Sequence, residues 1–233
     1  MTAAAHPLDR AIWNALTSRQ AHLALGGGGA LRFEPGHAVF AALRDDGEES
    51  RSAFAALIAR HGEVAMLQPE PAEAPAGAVV SVRAEAVQMT LEALTPSPGA
   101  PEFEIVALTE ADAPQMLALA TLTRPGPFFA RTHRLGAFIG VKAGGRLVAM
   151  AGERLKPQGF TEVSGVCTHP DARGRGYGGA LTRIAAARVL ARGETPFLHA
   201  YADNAAAIGL YEQLGFTLRR RMAVTIIAPQ GVG

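Results

Sequence analysis

A glycine-rich loop between a strand-like run and a helix-like run constrains this chain more than any other feature. The loop reads Arg-Gly-Arg-Gly-Tyr-Gly-Gly over residues 173–179. Residues 162–168 before it are typical of a strand, and residues 180–192 after it are typical of a helix. A glycine-rich turn that opens a helix presents free backbone N–H groups and the positive end of the helix dipole, which together bind phosphate. The loop therefore predicts an α/β protein that holds a phosphate-bearing molecule.

Composition limits the classes of protein that this chain can represent. The 233 residues suffice for one large domain or two small ones, and 48% hydrophobic residues supply a full core. A net charge of +1 argues against a nucleic-acid partner. The single cysteine, Cys167, excludes an internal disulfide and a cysteine-only zinc site. Residues 1–10 lack an apolar signal core, and no apolar run approaches the ~20 residues of a membrane span. We expect a cytoplasmic protein without a membrane or metal partner.

Prolines suggest where the chain divides. Of two proline-rich stretches, 68–77 and 95–101, the second is the better linker, because prolines block helix and ladder hydrogen bonds. We therefore predict an N-terminal α/β region at 1–95, a linker at 96–101 and a second domain at 102–233. The N-terminal region is expected to contain helices at 8–25 and 51–60 and strand material at 31–43, 64–67, 79–82 and 87–91. The four glycines at 26–29 are interpreted as a flexible turn, since no strand leads in and no lysine follows.

The second part shows a clearer order of elements. Helices are predicted at 110–122 and 128–135, and Gly144-Gly145 is a strong two-residue hairpin signal. The remaining predicted elements are strands at 103–108, 136–143, 146–155, 159–168, 197–201 and 219–227 and a short helix at 204–214. Strands joined by turns run antiparallel, whereas the crossover through helix 180–192 makes one parallel pair. The sequence thus predicts a mixed sheet of the α+β kind.

The glycine loop fits two patterns. Gly174-x-Gly176-x-x-Gly179 matches the dinucleotide fingerprint, and Asp203 lies near the end of the following strand. Against that reading, residues 169–173 separate the strand from the first glycine, and hairpin-linked strands do not build a doubly wound sheet. The second pattern is Arg/Gln-x-x-Gly-x-Gly/Ala, present at residues 173–178. A dinucleotide-binding protein stays a minor alternative.

The second pattern and its surroundings resemble the GCN5-related N-acetyltransferase (GNAT) superfamily, in particular its FR47-like branch. The similarity covers about 102–228 and is carried by residues 166–178 and by Tyr-Glu-Gln-Leu-Gly-Phe at 211–216. It implies the acyl-CoA N-acyltransferase fold for 102–233, with residues 1–95 either a degenerate copy of that fold or a separate lid. It further implies an N-acetyltransferase that passes an acetyl group from acetyl-CoA directly to a primary amine.

The resemblance also implies the residues of the site. The turn at 173–178 would hold the CoA diphosphate, and a backbone N–H near Val166 would polarise the thioester carbonyl. Tyr211 would protonate the departing thiolate, Glu162 would accept the amine proton directly or through water, and Asn204 would cap its helix and contact the cofactor. The expected cofactor-binding residues are Val166, Cys167, Thr168, Arg173, Gly174, Arg175, Gly176, Tyr177, Gly178 and Asn204.

The residues themselves leave alternatives open. Tyr211 also fits a core tyrosine, Glu162 an exposed strand-end glutamate, and Cys167 an inert buried thiol. His199 and Tyr201 share a strand face and either pack or line the acceptor side. The rival function is a catalytically silent acyl-CoA-binding or interaction module.

The acceptor is expected to be a small-molecule or peptide amine, chosen by loops such as 123–134 and 156–159. The sequence does not name it. A homodimer is compatible with the sequence.

Overall fold

The computed structural model describes residues 6–97, 99 and 101–231. Within them, one to three strands separate each helix from the next. The helices are α1 (Ala11–Leu16), α2 (Glu48–His61), α3 (Ala113–Thr123), α4 (Tyr177–Ala191) and α5 (Ala205–Leu214). The strands are β1 (Ala24–Gly27), β2 (Ala30–Phe33), β3 (Ala41–Leu43), β4 (Val64–Gln68), β5 (Ala78–Thr90), β6 (Val106–Leu108), β7 (Phe138–Ala143), β8 (Arg146–Glu153), β9 (Phe160–Thr168), β10 (Thr195–Tyr201) and β11 (Thr217–Pro229). None of these helices is long and apolar enough to span a membrane.

Eight strands form one mixed sheet in the order β4-β11-β5-β10-β9-β8-β7-β6. Six of its seven neighbouring pairs are antiparallel, and β9 and β10 form the parallel pair. The parallel pair follows from the crossover through α4, and the β7–β8 hairpin turns at Gly144 and Gly145, both with positive φ. The predicted mixed sheet is confirmed. Because only the β9–β10 pair is parallel, the described residues do not form the doubly wound parallel sheet that the dinucleotide alternative requires.

The sheet is covered on both faces. Met116 and Leu119 of α3 pack with Phe138, Met150 and Cys167 on one face. On the other face α4 packs against the same strands through a second set of buried side chains, which includes Leu181, Ile139, Val148, Ala149 and Ala151. The two layers fix β9 in the middle of the molecule.

Residues before the predicted linker contribute to this sheet. Strand β5 lies between β10 and β11, and β4 pairs with the outer edge of β11. The sheet is therefore continuous across the predicted boundary. The linker residues Pro98 and Ala100, like residues 1–5 and 232–233 at the ends of the predicted regions, lie outside the described residues. Thr95, just before the linker, accepts from Arg183 and bonds to the carbonyls of Gln213 and Leu214.

Several predicted element bounds are wrong. The predicted helix at 8–25 is confined to Ala11–Leu16, because strand pairing begins at Ala24. Of the four glycines at 26–29, Gly26 and Gly27 belong to β1, so a strand does lead in, and Gly28 and Gly29 form the turn of the β1–β2 hairpin. The two short strands predicted at 79–82 and 87–91 are one strand, since β11 pairs along the whole length of β5. Of the predicted strand at 103–108 only Val106–Leu108 pairs, and the predicted helix at 128–135 is reduced to a 3₁₀ turn over Thr132–Leu135.

Candidate functional site

Strands β9 and β10 separate soon after they meet. Their parallel pairing covers three residue pairs and ends at Glu162 and Phe197. In β9 the register against β8 shifts where Gly165, at φ +63°, and Val166 face one residue of the neighbour. This is a β-bulge, which bends a strand away from its partner. The divergence leaves the β10-facing edge of β9 open along the predicted cofactor residues Val166, Cys167 and Thr168.

The glycine loop adopts the backbone that its sequence predicts. Gly174 and Gly176 both have φ of +75°, a left-handed conformation that favours glycine, and a Cβ on either would meet nothing within 4 Å. The first α4 bond runs from the Ala180 N–H to the Gly176 carbonyl. The N–H groups that precede Ala180 in the first turn therefore have no helical acceptor. Arg173 and Arg175 are exposed beside them.

The start of α4 lies against the open edge of β9. A Cβ on Gly178 would come within 3.9 Å of the Val166 and Thr168 side chains, so the helix approaches the strand closely. The Tyr177 ring packs edge-on against Phe103, with ring centroids 4.6 Å apart. Among the predicted cofactor residues, Tyr177 therefore offers the site its backbone while its ring belongs to the core.

Tyr211 reaches the same opening from α5. Its ring is buried beside Phe216, and its hydroxyl has no hydrogen-bond partner among the described residues. Burial, and secondarily the nearby Cys167, raise the pKa of Tyr211 to about 12. The phenol therefore stays protonated and remains available as a donor.

Asn204 caps helix α5, whereas Cys167 lies in β9 with a buried side chain. The Asn204 side chain accepts from the Ala207 N–H at 3.1 Å, which confirms the predicted helix cap. The Cys167 side chain packs toward α3, and burial raises the pKa of its thiol to about 11. That thiol is protonated and buried in the α3 cluster, so the backbone of Cys167 is the part that the open strand edge presents.

Glu162 is fully buried rather than exposed at a strand end. Its two oxygens accept from Arg154 Nε and Nη2, each at 2.8 Å, and one also contacts His199 Nδ1 at 2.7 Å. Burial alone would raise the pKa of Glu162, but the charge and hydrogen bonds of Arg154, together with the His199 bond, lower it to about 2. These contacts argue against Glu162 as a direct proton acceptor, because a paired carboxylate with so low a pKa is a weak base.

His199 is held by a directed chain of hydrogen bonds. Arg219 Nε donates to Gln88 Oε1, which leaves the Gln88 amide nitrogen facing His199 Nε2 at 2.9 Å. That nitrogen also donates to the Leu8 carbonyl at 3.0 Å. His199 Nε2 must then accept, and its Nδ1–H donates to Glu162, so the network assigns the neutral tautomer. The chain ties the N-terminal residues to the Glu162 pair.

A cavity of about 260 Å³ joins these groups. It runs from Val166, Asn204 and Tyr211 to Arg154 and His199. One wall comes from residues before the predicted linker, and another comes from the loop after α3. The lining from those two walls includes Val39, Phe40, Glu63, Ala65, Leu67 and Ala86 and then Arg124, Pro125, Gly126, Pro127 and Phe129.

Three residues of this site were not predicted from the sequence. Arg154 follows β8 and is buried under the Phe40 ring, 4.7 Å from its centroid. Nothing in the local pattern marks either residue, because they meet only in the folded chain. Gly165 could have been found, since a glycine inside a strand is a signal for a bulge.

Arg124 at the rim is the one non-glycine residue with positive φ in the described part of the chain. In the same part, no group of three or more His, Cys, Asp or Glu side chains could hold a metal ion.

Comparison with known proteins places this geometry in context. Residues 138–224 match the family described as FR47-like protein. The chain is 43% identical to a candidate acetyltransferase of the GNAT family from Novosphingobium aromaticivorans, with a TM-score of 0.89 over 97% of this chain and 100% of that one. A GCN5-related N-acetyltransferase from Kribbella flavida shares 19% identity at a TM-score of 0.64, over 95% of this chain and 96% of that one, and shows the fold alone. No curated protein matches this chain.

Proposed function

Because this chain belongs to the GCN5-related N-acetyltransferase family, we propose that it transfers an acetyl group from acetyl-CoA directly to a primary amine. The observation that carries the proposal is the opening between β9 and β10. There the free edge of β9 and Tyr211 meet at one cavity, which Val166 and Tyr211 both line. The open N-terminus of α4 lies against the same strand edge, where Gly178 comes close to Val166 and Thr168. A thioester placed in this opening would have a donor for its carbonyl, a site for its diphosphate and a donor for its sulfur.

The donor would bind along β9 and over the glycine loop. The diphosphate would accept from the free N–H groups of 174–179, where glycine at 174 and 176 lets the backbone come close. Arg173 and Arg175 would add positive charge. A second groove of about 650 Å³ lies beside this loop, between α4 and the proline-rich segment that includes Pro96 and Pro101. We assign the adenosine end of CoA to that groove.

Acetyl transfer would then proceed in one ternary complex. The amine nitrogen forms a bond to the carbonyl carbon, and the carbon–sulfur bond breaks. A backbone N–H near Val166 stabilises the charge that develops on the carbonyl oxygen, and Thr168 flanks pantetheine. Tyr211 donates its proton toward the departing sulfur, and its raised pKa prevents it from ionising before the transfer begins.

The amine must lose one proton for each proton that the sulfur gains. We assign the amine's proton to water in the cavity, because both Glu162 oxygens are already paired with Arg154 and His199. Tyr211 then regains from that water the proton that it gave to sulfur. Glu162 would act as a positioning residue that fixes Arg154 and His199 at the cavity wall. The rival, a silent acyl-CoA-binding module, would not need a free phenol beside the thioester.

Amine-dependent release of CoA tests the proposal. With acetyl-CoA and a panel of primary amines, Tyr211→Phe should lower both kcat and kcat/KM by about 100-fold with little change in the donor KM, as expected for a proton donor. Tyr201→Phe is the matched control, since Tyr201 lines the same cavity but is 46% exposed at its mouth. Equal turnover of Tyr211→Phe and the unchanged protein would dismiss the donor role.

Ligand binding separates this function from its rivals. CoA and acetyl-CoA should raise the melting temperature, and NAD should not. Stabilisation by NAD alone would overturn the acyl-CoA assignment. Binding of CoA without turnover of any amine would favour the silent module.

We also place the protein in the cytoplasm. Its one cysteine, Cys167, is a free and buried thiol, which suits a reducing compartment.

A further inference from the structure

One nitrogen of the Arg154 guanidinium is unused by the protein. Nε and Nη2 make the paired bonds to Glu162, while Nη1 has no hydrogen-bond partner among the described residues. Nη1 lies 3.9 Å from the position of a Cβ on Gly126, in the loop that walls the cavity. The Phe40 ring covers the guanidinium at 4.7 Å. Glu162 holds the guanidinium along one edge and Phe40 covers its face, which leaves Nη1 free beside Gly126 in the wall of the cavity that Arg154 lines.

The surroundings make this nitrogen a strong site for an oxygen ligand. The Arg154 side chain is 10% exposed, so a bond to it would be poorly screened by water. The other charged residues that line the cavity, Glu63 and Arg124, are exposed and opposite in charge. Charges of that kind interact weakly with a ligand. Because Glu162 occupies only one edge of the fork, a second oxygen can bind Nη1 without displacing it.

The size and lining of the cavity limit which ligands can present an oxygen to Arg154 Nη1. About 260 Å³ is smaller than the ~300–1,000 Å³ typical of sites for drug-sized ligands. The wall from the N-terminal region is mainly apolar, with Phe40, Ala65 and Leu67, and β11 adds Val224 and Ile226. The N-terminal wall is fastened in place, since Gln20 Nε2 donates to the Arg154 carbonyl at 2.7 Å and Thr132 Oγ1 donates to the His37 carbonyl at 2.7 Å.

We propose that Arg154 Nη1 binds the carboxylate of the acceptor, so that the preferred acceptors are small amines with a neighbouring carboxylate and an apolar side chain, as in apolar amino acids. This inference rests on the proposed acetyl transfer and names the class of its acceptor. The carboxylate would anchor on Arg154, the side chain would lie against the Phe40 wall, and the amine would be turned toward Val166 and Tyr211. Polyamines and unsubstituted alkyl amines lack the group that Arg154 binds.

A series of three amines with the same side chain tests the inference in the unmodified protein. The series is L-leucine, L-leucinamide and 3-methylbutylamine, with CoA release from acetyl-CoA as the readout and kcat/KM expressed per neutral amine. We expect kcat/KM to fall by about 10- to 100-fold from leucine to 3-methylbutylamine, with leucinamide between them, because a charge-assisted hydrogen bond is lost. Equal values, or a preference for 3-methylbutylamine, would overturn the inference and leave acetyl transfer standing. Turnover of no amine at all would overturn both.

Matched arginine variants identify the residue. Arg154→Lys keeps a positive charge but lacks Nη1, and should reduce the preference for leucine over 3-methylbutylamine to within about twofold. Arg134→Lys is the control, because Arg134 also donates to a glutamate, Glu110, through two nitrogens but lies outside the cavity. It should keep the full preference. An unchanged preference in Arg154→Lys, with CoA affinity also unchanged, would contradict the role of Arg154. If that variant does not fold, the amine series decides.

Discussion

The donor side and the acceptor side of the proposed site are built in opposite ways. The donor side is the loop at 173–178 with the first turn of α4, a contiguous and exposed stretch that acts through its backbone. The acceptor side is a set of buried side chains from distant parts of the chain, including Phe40, Arg154, Glu162 and His199. An exposed backbone loop can change at little cost to folding, whereas a buried charge pair cannot lose one partner cheaply. Substitutions on the donor side should therefore reduce CoA binding with little loss of stability, whereas those on the acceptor side should reduce stability.

The largest effect on stability is expected on the acceptor side. Arg154→Met should lower the free energy of unfolding by about 3–5 kcal/mol, because it leaves the Glu162 carboxylate buried without its cationic partner. Adding Glu162→Gln removes that charge and keeps an oxygen for the His199 Nδ1–H, so the double variant should recover more than half of the loss. Urea unfolding followed by fluorescence measures both. Arg134→Met, which breaks the exposed pair with Glu110, should leave stability nearly unchanged.

A double variant no more stable than Arg154→Met would contradict this account. The loss would then come from packing of the arginine stem against Phe40 rather than from an uncompensated charge.

The same contrast decides how much could be predicted from the sequence. The glycine loop could be predicted because its proposed function depends on positive φ at Gly174 and Gly176 and on a helix that begins directly after the loop. Both are local properties of the sequence. The parallel pair across α4 and the hairpin at Gly144-Gly145 were predictable for the same reason. The resemblance to the GNAT family, carried by the same stretch, is confirmed.

The cavity could not be predicted from the sequence, because its residues come from distant parts of the chain and contact each other only in the folded protein. The resemblance to the GNAT family pointed to Glu162, but its ion pair and hydrogen bonds depend on Arg154, which follows β8, and on His199 of β10. Polar residues such as Arg83 and Glu85 interrupt the pattern of β5, so one long strand was interpreted as two short ones. Only the pairing with β11 shows that β5 is one continuous strand. Strand pairing over so long a separation leaves no periodic trace in one sequence.

On the donor side, a large loss of binding should come with little loss of stability. Gly176→Glu places a carboxylate where the diphosphate is expected and should weaken CoA binding more than 100-fold, measured by titration calorimetry. Gly193→Glu is the matched control. Gly193 has φ of +72° against +75° for Gly176, and a Cβ on either meets nothing within 4 Å.

Both glycine variants should therefore lose the same ~1 kcal/mol of stability from the backbone, and only Gly176→Glu should lose CoA. Unchanged CoA affinity in Gly176→Glu would remove the diphosphate from this loop. An equal loss in both variants would mean that the effect is on the fold.

The smallest predicted effect is the pH dependence of stability that Glu162 contributes on the acceptor side. The pKa of Glu162 is lowered from about 4.5 to about 2 in the folded protein, so its ionised form favours folding. That stabilisation is complete above the ordinary pKa and is lost as the pH falls from about 4.5 toward about 2. The free-energy difference between the unchanged protein and Glu162→Gln should therefore shrink by about 1 kcal/mol between pH 5 and pH 3.5. Glu212→Gln, on the exposed side of α5, should change stability little at either pH. A Glu162→Gln difference that stays constant over this range would mean that Arg154 does not hold the carboxylate ionised, and the contrast between the two sides would lose its electrostatic basis.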